Sequence, residues 1–243
     1  MMRWLDPIIN LRKIWAGLRG YMQYSRDWQS YSEMPGAEEL RTKDAIPCLY
    51  DRTSTTEFGG HYFYQDIWAF KAIQRSGAEV HVDVGSLASF VGMLTAVTRV
   101  IFIDIRPLVV ELENFECRKG SILEMPFEGN SLQSLSCLHV AEHIGLGRYG
   151  DALDPKGTER ACRELARVLA PGGNLYFAVP VGKQRVCFNA HRIFSPQRIM
   201  DYFNDLRLID FAVIDDSGTF REKMQPSDLE NAVYACGCFH FVK

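Results

Sequence analysis

Three histidines and one glutamate have the residue types and the spacing for proton transfer. His139, Glu142 and His143 lie within five residues of one another, and His191 follows later in the chain. A histidine can accept a proton near neutral pH, and a neighbouring carboxylate can orient its imidazole. The alternative for Glu142 and His143 is capping and packing at the start of a helix. His191 also has two interpretations, a base or substrate ligand and a structural histidine.

The elements that position these residues begin with the stretch from Glu79 to Asp104. Residues 80–84 predict a strand that ends at Gly85, a helical pattern follows up to Leu94, and a second strand ends at Asp104. Strand, tight turn, helix and strand form the opening unit of a Rossmann-like nucleotide site. In such a unit, an acid about 20 residues after the glycine can hold both ribose hydroxyls.

The turn lacks the glycines of a dinucleotide site. That site needs the pattern Gly-x-Gly-x-x-Gly, but Leu87 and Ser89 stand where the second and third glycines are needed. Asp83 places a negative charge at the tip of the strand, which disfavours a diphosphate and favours a ligand with an ammonium or sulfonium group. The turn therefore predicts a nucleoside with a cationic tail, such as S-adenosylmethionine. It disfavours a nicotinamide oxidoreductase.

Composition and charge argue against several classes of protein. The 243 residues are 47% hydrophobic and 23% charged, which allows one sizeable core, and the net charge of -3 predicts no nucleic-acid partner. The seven cysteines are scattered and odd in number, as is typical of reduced thiols in a cytoplasmic protein. Cys236 and Cys238 share a face of a predicted strand, where packing is favoured over metal or redox use. No acid and histidine set has convincing metal-ligand spacing, so no metal is predicted.

The amino-terminal region predicts an extension to one main domain. Residues 4–22 have apolar positions at spacings of three and four, which predicts an amphipathic helix. One interpretation is a helix that packs on the body of the protein or on the second subunit of a homodimer. The other is weak contact of residues 1–22 with a membrane surface, because basic residues flank two tryptophans. We expect residues 1–63 to form the extension and residues 64–243 to form the main domain.

The rest of the chain alternates helices and strands. The pattern predicts helices over 64–76, 107–114, 159–169 with Thr158 as a cap, and 197–203 with Ser195 as a cap. It predicts strands over 115–119, 131–138, 174–179, 206–214 and 232–242. This order indicates an α/β sheet between layers of helices, with the last strand inside the sheet.

Five short motifs together resemble those of class I S-adenosylmethionine-dependent methyltransferases. They are the Asp83-Val84-Gly85 turn, Asp104, Gly120-Ser121-Ile122, the pair Glu142-His143 and the segment from Arg167 to Gly173. Segments 61–66, 104–107 and 138–151 are also similar to one branch of these proteins, a methyltransferase-like family catalogued as a domain of unknown function. The resemblance implies a Rossmann-like three-layer sandwich. Its sheet would be mostly parallel and seven-stranded, with an antiparallel last strand.

The resemblance also implies which residues bind the cofactor, S-adenosylmethionine. They are Asp83, Gly85, Ser86, Asp104, Ile105, Ser121, Ile122 and His139. Asp83 would lie near the amino group, Asp104 would hold the ribose, and His139 would lie along the cofactor. Ser121 departs from the family pattern, because related proteins usually carry an aspartate there to accept the adenine amino hydrogen. A neutral hydroxyl should accept that hydrogen less strongly.

These motifs predict methyl transfer from S-adenosylmethionine to an oxygen, in preference to a nitrogen, of a small acceptor. The resemblance points to a sugar or nucleotide-sugar of surface polysaccharide assembly. The catalytic candidates are His143 and His191 as bases and Glu142 as an orienting acid. Arg148 and Arg192 could bind a phosphate or carboxylate on the acceptor, or pair with nearby acids.

A second hypothesis is a cofactor-binding protein with little or no catalysis, which acts through partners. Its support is the replacement of two glycines in the turn and of the adenine-binding aspartate.

Overall fold

The computed structural model describes residues 10–56, 58–229 and 231–243, and the chain forms two compact units, residues 1–58 and 59–243. The first unit contains α1 (Leu11–Ser32), whose N-cap Asn10 accepts a hydrogen bond from the Lys13 amide at 2.9 Å. Part of the predicted amphipathic helix, residues 4–9, lies outside the described residues. Within α1 the side chains of Trp15, Leu18 and Met22 are exposed, and both interpretations of this stripe stay predictions. None of the described helices combines the length and the apolar character needed to span a bilayer.

The second unit alternates helices and strands. Its helices are α2 (Gly60–Ser76), α3 (Ala88–Leu94), α4 (Gly157–Val168) and α5 (Pro196–Tyr202). Its strands are β1 (Val80–Val84), β2 (Arg99–Asp104), β3 (Phe115–Lys119), β4 (Leu132–Leu138), β5 (Leu169–Val181), β6 (Arg185–Cys187), β7 (His191–Ile193), β8 (Arg207–Ile214), β9 (Phe220–Arg221) and β10 (Ala235–Val242).

The main sheet has the order β3-β2-β1-β4-β5-β10-β8-β9. Neighbours from β3 to β5 are parallel, and β10 is antiparallel to both β5 and β8. The predicted Rossmann-like sheet with an antiparallel last strand is therefore confirmed. The predicted count of seven strands is wrong, because the two-residue β9 pairs with the end of β8 and makes an eighth.

Helices cover both faces of this sheet. On one face, Leu165 of α4 and Ile199 of α5 are fully buried in the larger apolar cluster. On the other face, Trp68 of α2 and Phe90 of α3 are buried in a second cluster. Burial of each such side chain contributes about 1.5–3 kcal/mol, so the sheet is held firmly between two helical layers.

Two helix predictions differ from the structure in informative ways. Residues 107–114 form no helix, because most apolar side chains of this segment stay exposed and only Leu108 packs on the core; Val109 is 94% exposed. Helix α4 begins at Gly157, so Thr158 lies inside it, and the Thr158 hydroxyl donates to the Ala141 carbonyl at 2.7 Å. By contrast, Ser195 accepts from the Arg198 amide and caps α5 as predicted.

The strand order reverses between β1 and β4. From β1 the chain continues outward to β2 and β3, and then returns to place β4 on the other side of β1. Open α/β sheets bind ligands at such a point, outside the carboxyl ends of the strands. The segments after β1, β2, β3 and β4 are therefore the ones that can form a site.

Candidate active site

The turn after β1 is organised by the buried carboxylate of Asp83. One oxygen accepts from the Ser86 amide at 3.0 Å, and the other accepts from the Ser86 hydroxyl at 2.7 Å and from the Ser136 hydroxyl. Burial raises the pKa of Asp83 to about 7, although the hydrogen bonds from Ser136 and Ser86 oppose the shift. Asp83 therefore shapes the turn from inside the protein, and it is not among the residues of the crevice wall.

Gly85 is the residue of this turn whose backbone borders open space most closely. Its φ is +67°, a conformation that favours glycine, and its amide donates to the Ile103 carbonyl at 3.0 Å. A Cβ at this position would lie 3.2 Å from the Val140 side chain and 3.8 Å from Asp104 Oδ2. This space is open because glycine has no Cβ to fill it.

Asp104 ends β2 beside this space. Its Oδ1 accepts from the Arg106 amide at 2.7 Å, which fixes the carboxylate at the strand end. Its Oδ2 faces the Gly85 backbone. The Arg106 guanidinium lies over the Tyr149 ring, 4.5 Å from the ring centre.

A continuous crevice connects these groups. One part of its wall contains six of the predicted cofactor residues, Gly85, Asp104, Ile105, Ser121, Ile122 and His139. The adjoining part contains Ser86 and Tyr62, and His143 borders both parts. The structure thus brings together every predicted cofactor residue except Asp83.

His139 and Glu142 form a buried pair directly after β4. His139 is 8% exposed, Glu142 is 1% exposed, and His139 Nδ1 lies 2.9 Å from Glu142 Oε1. Burial lowers the pKa of the His139 imidazole, but Cys236 and Glu142 beside it have the larger combined effect and raise it. His139 also has a φ of +55°, which is uncommon for a residue with a side chain.

His143 has a defined tautomer. Its Nδ1 lies 2.6 Å from the Ala190 carbonyl oxygen, which can only accept, so Nδ1 carries the hydrogen and Nε2 has a free lone pair. Burial, as the largest effect, lowers the pKa of His143, so the imidazole is neutral near pH 7. Nε2 lies 3.7 Å from Glu142 Oε1. These features suit a proton acceptor at the crevice wall.

His191 contacts the site through other rings. It begins β7, stacks on Tyr234 at 5.3 Å between ring centres, and lies 6.5 Å from the His143 ring. Burial lowers its pKa as well.

Six aromatic rings form a chain beside the crevice, which we call the ring wall. In order they are His139, His61, Tyr234, His191, His143 and Tyr149, with centres 5.2–6.5 Å apart. Sequence reasoning missed His61, Tyr149 and Tyr234 as site residues. His61 and Tyr149 do stand in the segments that resemble the family, but only the fold brings Tyr234 to them.

The two predicted anion-binding arginines differ in the structure. Arg192 is 8% exposed and donates to the carbonyls of Ile144 and Asp154 and to the Thr158 hydroxyl, at 2.5, 3.1 and 3.3 Å. Its guanidinium therefore holds loops together and is not free to bind an anionic group of a methyl acceptor. Arg148 donates to the Ala190 carbonyl at 3.0 Å and also lies over the Tyr149 ring.

The fold is similar to that of solved methyltransferase structures. The N-methyltransferase NodS from Bradyrhizobium japonicum WM9, in complex with S-adenosyl-L-homocysteine, is similar with a TM-score of 0.54 and 14% identity, over 81% of this chain and 91% of that one. The YcgJ protein from Bacillus subtilis has a TM-score of 0.51 and 13% identity, over 73% of this chain and 98% of that one. At these identities the similarity shows the fold alone.

Residues 82–231 match the family described as "Caenorhabditis protein of unknown function, DUF268". The chain belongs to this family, which confirms the resemblance to a methyltransferase-like branch catalogued as a domain of unknown function. A comparison with curated protein sequences found no match.

Proposed function

We propose that this protein transfers the methyl group of S-adenosylmethionine to an oxygen of a small acceptor. The observation that carries the proposal is that Gly85, Asp104 and His143 border one crevice at the carboxyl ends of β1, β2 and β4. A cradle for an adenosyl group and a proton acceptor are thus adjacent. The crystallisation of NodS, which has the same fold, with S-adenosyl-L-homocysteine supports the choice of cofactor.

The residues of the crevice fit this cofactor. The open space in front of Gly85 would be filled by a Cβ, so the backbone there can meet a ligand directly. Asp104 offers a fixed carboxylate that can accept hydrogen bonds from ribose hydroxyls. Ile105, Ser121 and Ile122 line the part of the crevice beyond it, where a flat base can lie between apolar side chains. When bound, S-adenosylmethionine supplies an electrophilic methyl group on a positively charged sulfur.

His143 is the proposed base. A hydroxyl acceptor must lose its proton as its oxygen gains the methyl carbon, and a positioned imidazole accelerates this loss about 10²–10⁴-fold. The bond from Nδ1 to the Ala190 carbonyl leaves Nε2 as the atom that takes the proton. Glu142 Oε1, 3.7 Å away, can stabilise the imidazolium that forms.

The ring wall supports a polyol acceptor, such as a sugar or nucleotide-sugar of surface polysaccharide assembly. Tyrosine and histidine rings offer apolar faces together with hydrogen-bonding edges. The hydroxyls of Tyr62 and Tyr149 belong to side chains that border the crevice. Arg148, beside Tyr149, can meet a phosphate on such an acceptor.

Calorimetric titration with S-adenosyl-L-homocysteine tests the cofactor before any acceptor is known. We expect one equivalent to bind, and Asp104→Asn to weaken binding about 10- to 100-fold through loss of charged hydrogen bonds. Asp205→Asn is the matched control, because Asp205 is exposed before β8, at the opposite edge of the sheet. Tighter binding of NAD than of S-adenosyl-L-homocysteine would contradict the proposal. Binding without turnover of any acceptor would favour the second hypothesis, a cofactor-binding protein with little catalysis.

A further inference from the structure

Three potential metal ligands from distant parts of the sequence converge beside the crevice. His61 lies in the first turn of α2, His139 follows β4, and Cys236 lies in β10. One ligand atom from each, two imidazole nitrogens and the thiol sulfur, lie within 4.8 Å of one another. Among the described residues, this is the one cluster of three such side chains that could hold an ion.

Buried polar atoms without hydrogen-bond partners lie at and beside this cluster. Within the described residues, two buried side-chain polar atoms lack a hydrogen-bond partner, His139 Nε2 and Glu142 Oε2. Buried polar atoms in folded proteins are nearly always paired, so an unpaired set indicates an ion or another unrecorded partner. The unpaired nitrogen belongs to the convergent cluster itself.

Glu142 orients His139 as a carboxylate orients a metal-binding histidine. His139 Nδ1 donates to Glu142 Oε1 at 2.9 Å, so Nε2 is the nitrogen available to the cluster, and a metal ion bound there would take the place of a proton on it. Metal-ligating histidines almost always donate their other ring hydrogen to such an acceptor. His139 is also held in the left-handed region at φ +55°, and residues kept in such conformations cluster at functional sites.

Charge and donor type favour zinc. One thiolate and two imidazoles are the ligands that Zn²⁺ selects, at bond lengths of about 2.0–2.3 Å. A tetrahedral ion of this size brings its ligands to about 3.5 Å from one another, which needs only a small inward movement of side chains. The thiolate of Cys236 and the carboxylate of Glu142 would balance the two positive charges of the ion. Burial of the cluster is then electrostatically acceptable.

We propose that His61, His139 and Cys236 bind a Zn²⁺ ion, with Glu142 as the positioning residue for His139 and one coordination position left for water or an acceptor oxygen. Three protein ligands with an open position are typical of catalytic rather than structural zinc. His139 borders the crevice, so the site lies directly behind the crevice wall. This site differs from the expectation of no metal, because its three ligands are far apart in sequence and show no motif spacing. The proposal does not depend on methyl transfer.

Metal titration of the full chain tests the site. The protein is stripped with a chelator under reducing conditions and titrated with Zn²⁺ against a chromophoric chelator. We expect one tight equivalent, and Co²⁺ in its place should give the intense visible bands of tetrahedral cobalt and a near-ultraviolet thiolate-to-cobalt band. The cobalt spectrum of the unaltered protein tests the thiolate ligand without any variant. Absence of binding, or a cobalt spectrum without the thiolate band, would overturn the proposal.

Variants then identify the ligands. Cys236→Ser and His139→Asn should each remove the tight equivalent; asparagine suits the left-handed backbone of His139. Cys117→Ser is the matched control, because Cys117 is a partly buried thiol of β3 outside the cluster. Glu142→Gln should weaken zinc about 10- to 100-fold, as loss of an outer partner does, while the thiolate-to-cobalt band persists. Thermal melts without metal identify any variant that fails to fold. Undiminished binding by folded Cys236→Ser and His139→Asn proteins would contradict the assignment.

Discussion

Asp83 and His81, two residues apart on β1, hydrogen-bond to the same hydroxyl, that of Ser136 on β4. The Ser136 hydroxyl donates to Asp83 Oδ2, and His81 Nε2 lies 2.8 Å from the Ser136 oxygen. The other ring nitrogen, Nδ1, lies 2.7 Å from the Ser134 hydroxyl. Both titratable groups are fully buried. These shared hydrogen bonds make the stability of the turn in the candidate site depend on pH.

The two groups affect stability in opposite directions. Burial raises the pKa of Asp83 from 3.8 to about 7, so the folded state binds the extra proton and stability falls as pH rises through this window. Burial lowers the pKa of His81 from 6.5 to about 3, so the unfolded state binds the extra proton and stability rises with pH through that window. Between about pH 4 and 6.5 the two contributions oppose each other.

Asp83→Asn should therefore change the slope of stability with pH. The substitution removes the contribution of Asp83 to stability, which falls as pH rises. The free energy of unfolding of the variant should therefore rise with pH, relative to the unaltered protein, between about pH 4 and 6.5. Urea unfolding at several pH values measures both slopes, and their difference isolates Asp83. Equal slopes would show that Asp83 titrates normally in the folded protein.

Gly85→Ala should abolish tight binding of S-adenosyl-L-homocysteine. The new methyl group would lie 3.2 Å from Val140 and occupy the space open to the ligand. Gly77→Ala is a matched control, because Gly77 has a similar φ of +64° and no atom within 4 Å of its Cβ position. Both variants should lose about 1–2 kcal/mol of stability for alanine in the left-handed region. Only Gly85→Ala should lose the ligand in calorimetry, and equal affinities of the two variants would refute the close approach.

His143→Gln should lower the methylation rate about 10²–10⁴-fold once an acceptor is known. The affinity for S-adenosyl-L-homocysteine should stay within about threefold, because the base contacts the acceptor side. His191→Gln is the comparison, since His191 contacts the site through Tyr234 and His143; its rate should stay within about tenfold. The reverse order of the two rates would transfer the role of base to His191.

Arg192→Ala should destabilise the protein by about 2–4 kcal/mol, because one buried and two partly buried acceptors lose a charged donor. Arg198→Ala, which removes an exposed arginine whose guanidinium lies over the Tyr202 ring, should cost less than about 1 kcal/mol. Denaturant unfolding of the two variants measures the difference. Similar stabilities, with a defect in acceptor binding, would instead support the role of Arg192 in recognition.

The part of the site that was predictable from sequence is the part built by local geometry. The turn at Gly85 and the acid at Asp104 are strand ends of one continuous supersecondary unit, so residue types and spacing predict their positions. The family resemblance implies Ile105, Ser121 and Ile122, and they line the same crevice as Asp104.

The rest depends on contacts between segments far apart in the chain. Asp83 is an acid at a strand tip, and its burial depends on Ser136, 53 residues later, as well as on Ser86 in its own turn. Arg192 is buried because it donates to loop carbonyls of other segments, and its residue type and position in the sequence do not indicate those partners. The convergence of His61, His139 and Cys236 requires three separate elements to be packed before it exists.

The position of β10 between β5 and β8 has a consequence for folding. Until residues 235–242 insert, β5 and β8 both present unpaired backbone edges, and such edges attract other chains. A partly folded sheet that still lacks β10 is therefore the species most prone to aggregate. Because Cys236 lies in β10, its thiol reaches the two histidines only after β10 has inserted. A zinc ion bound there would stabilise the sheet with β10 in place.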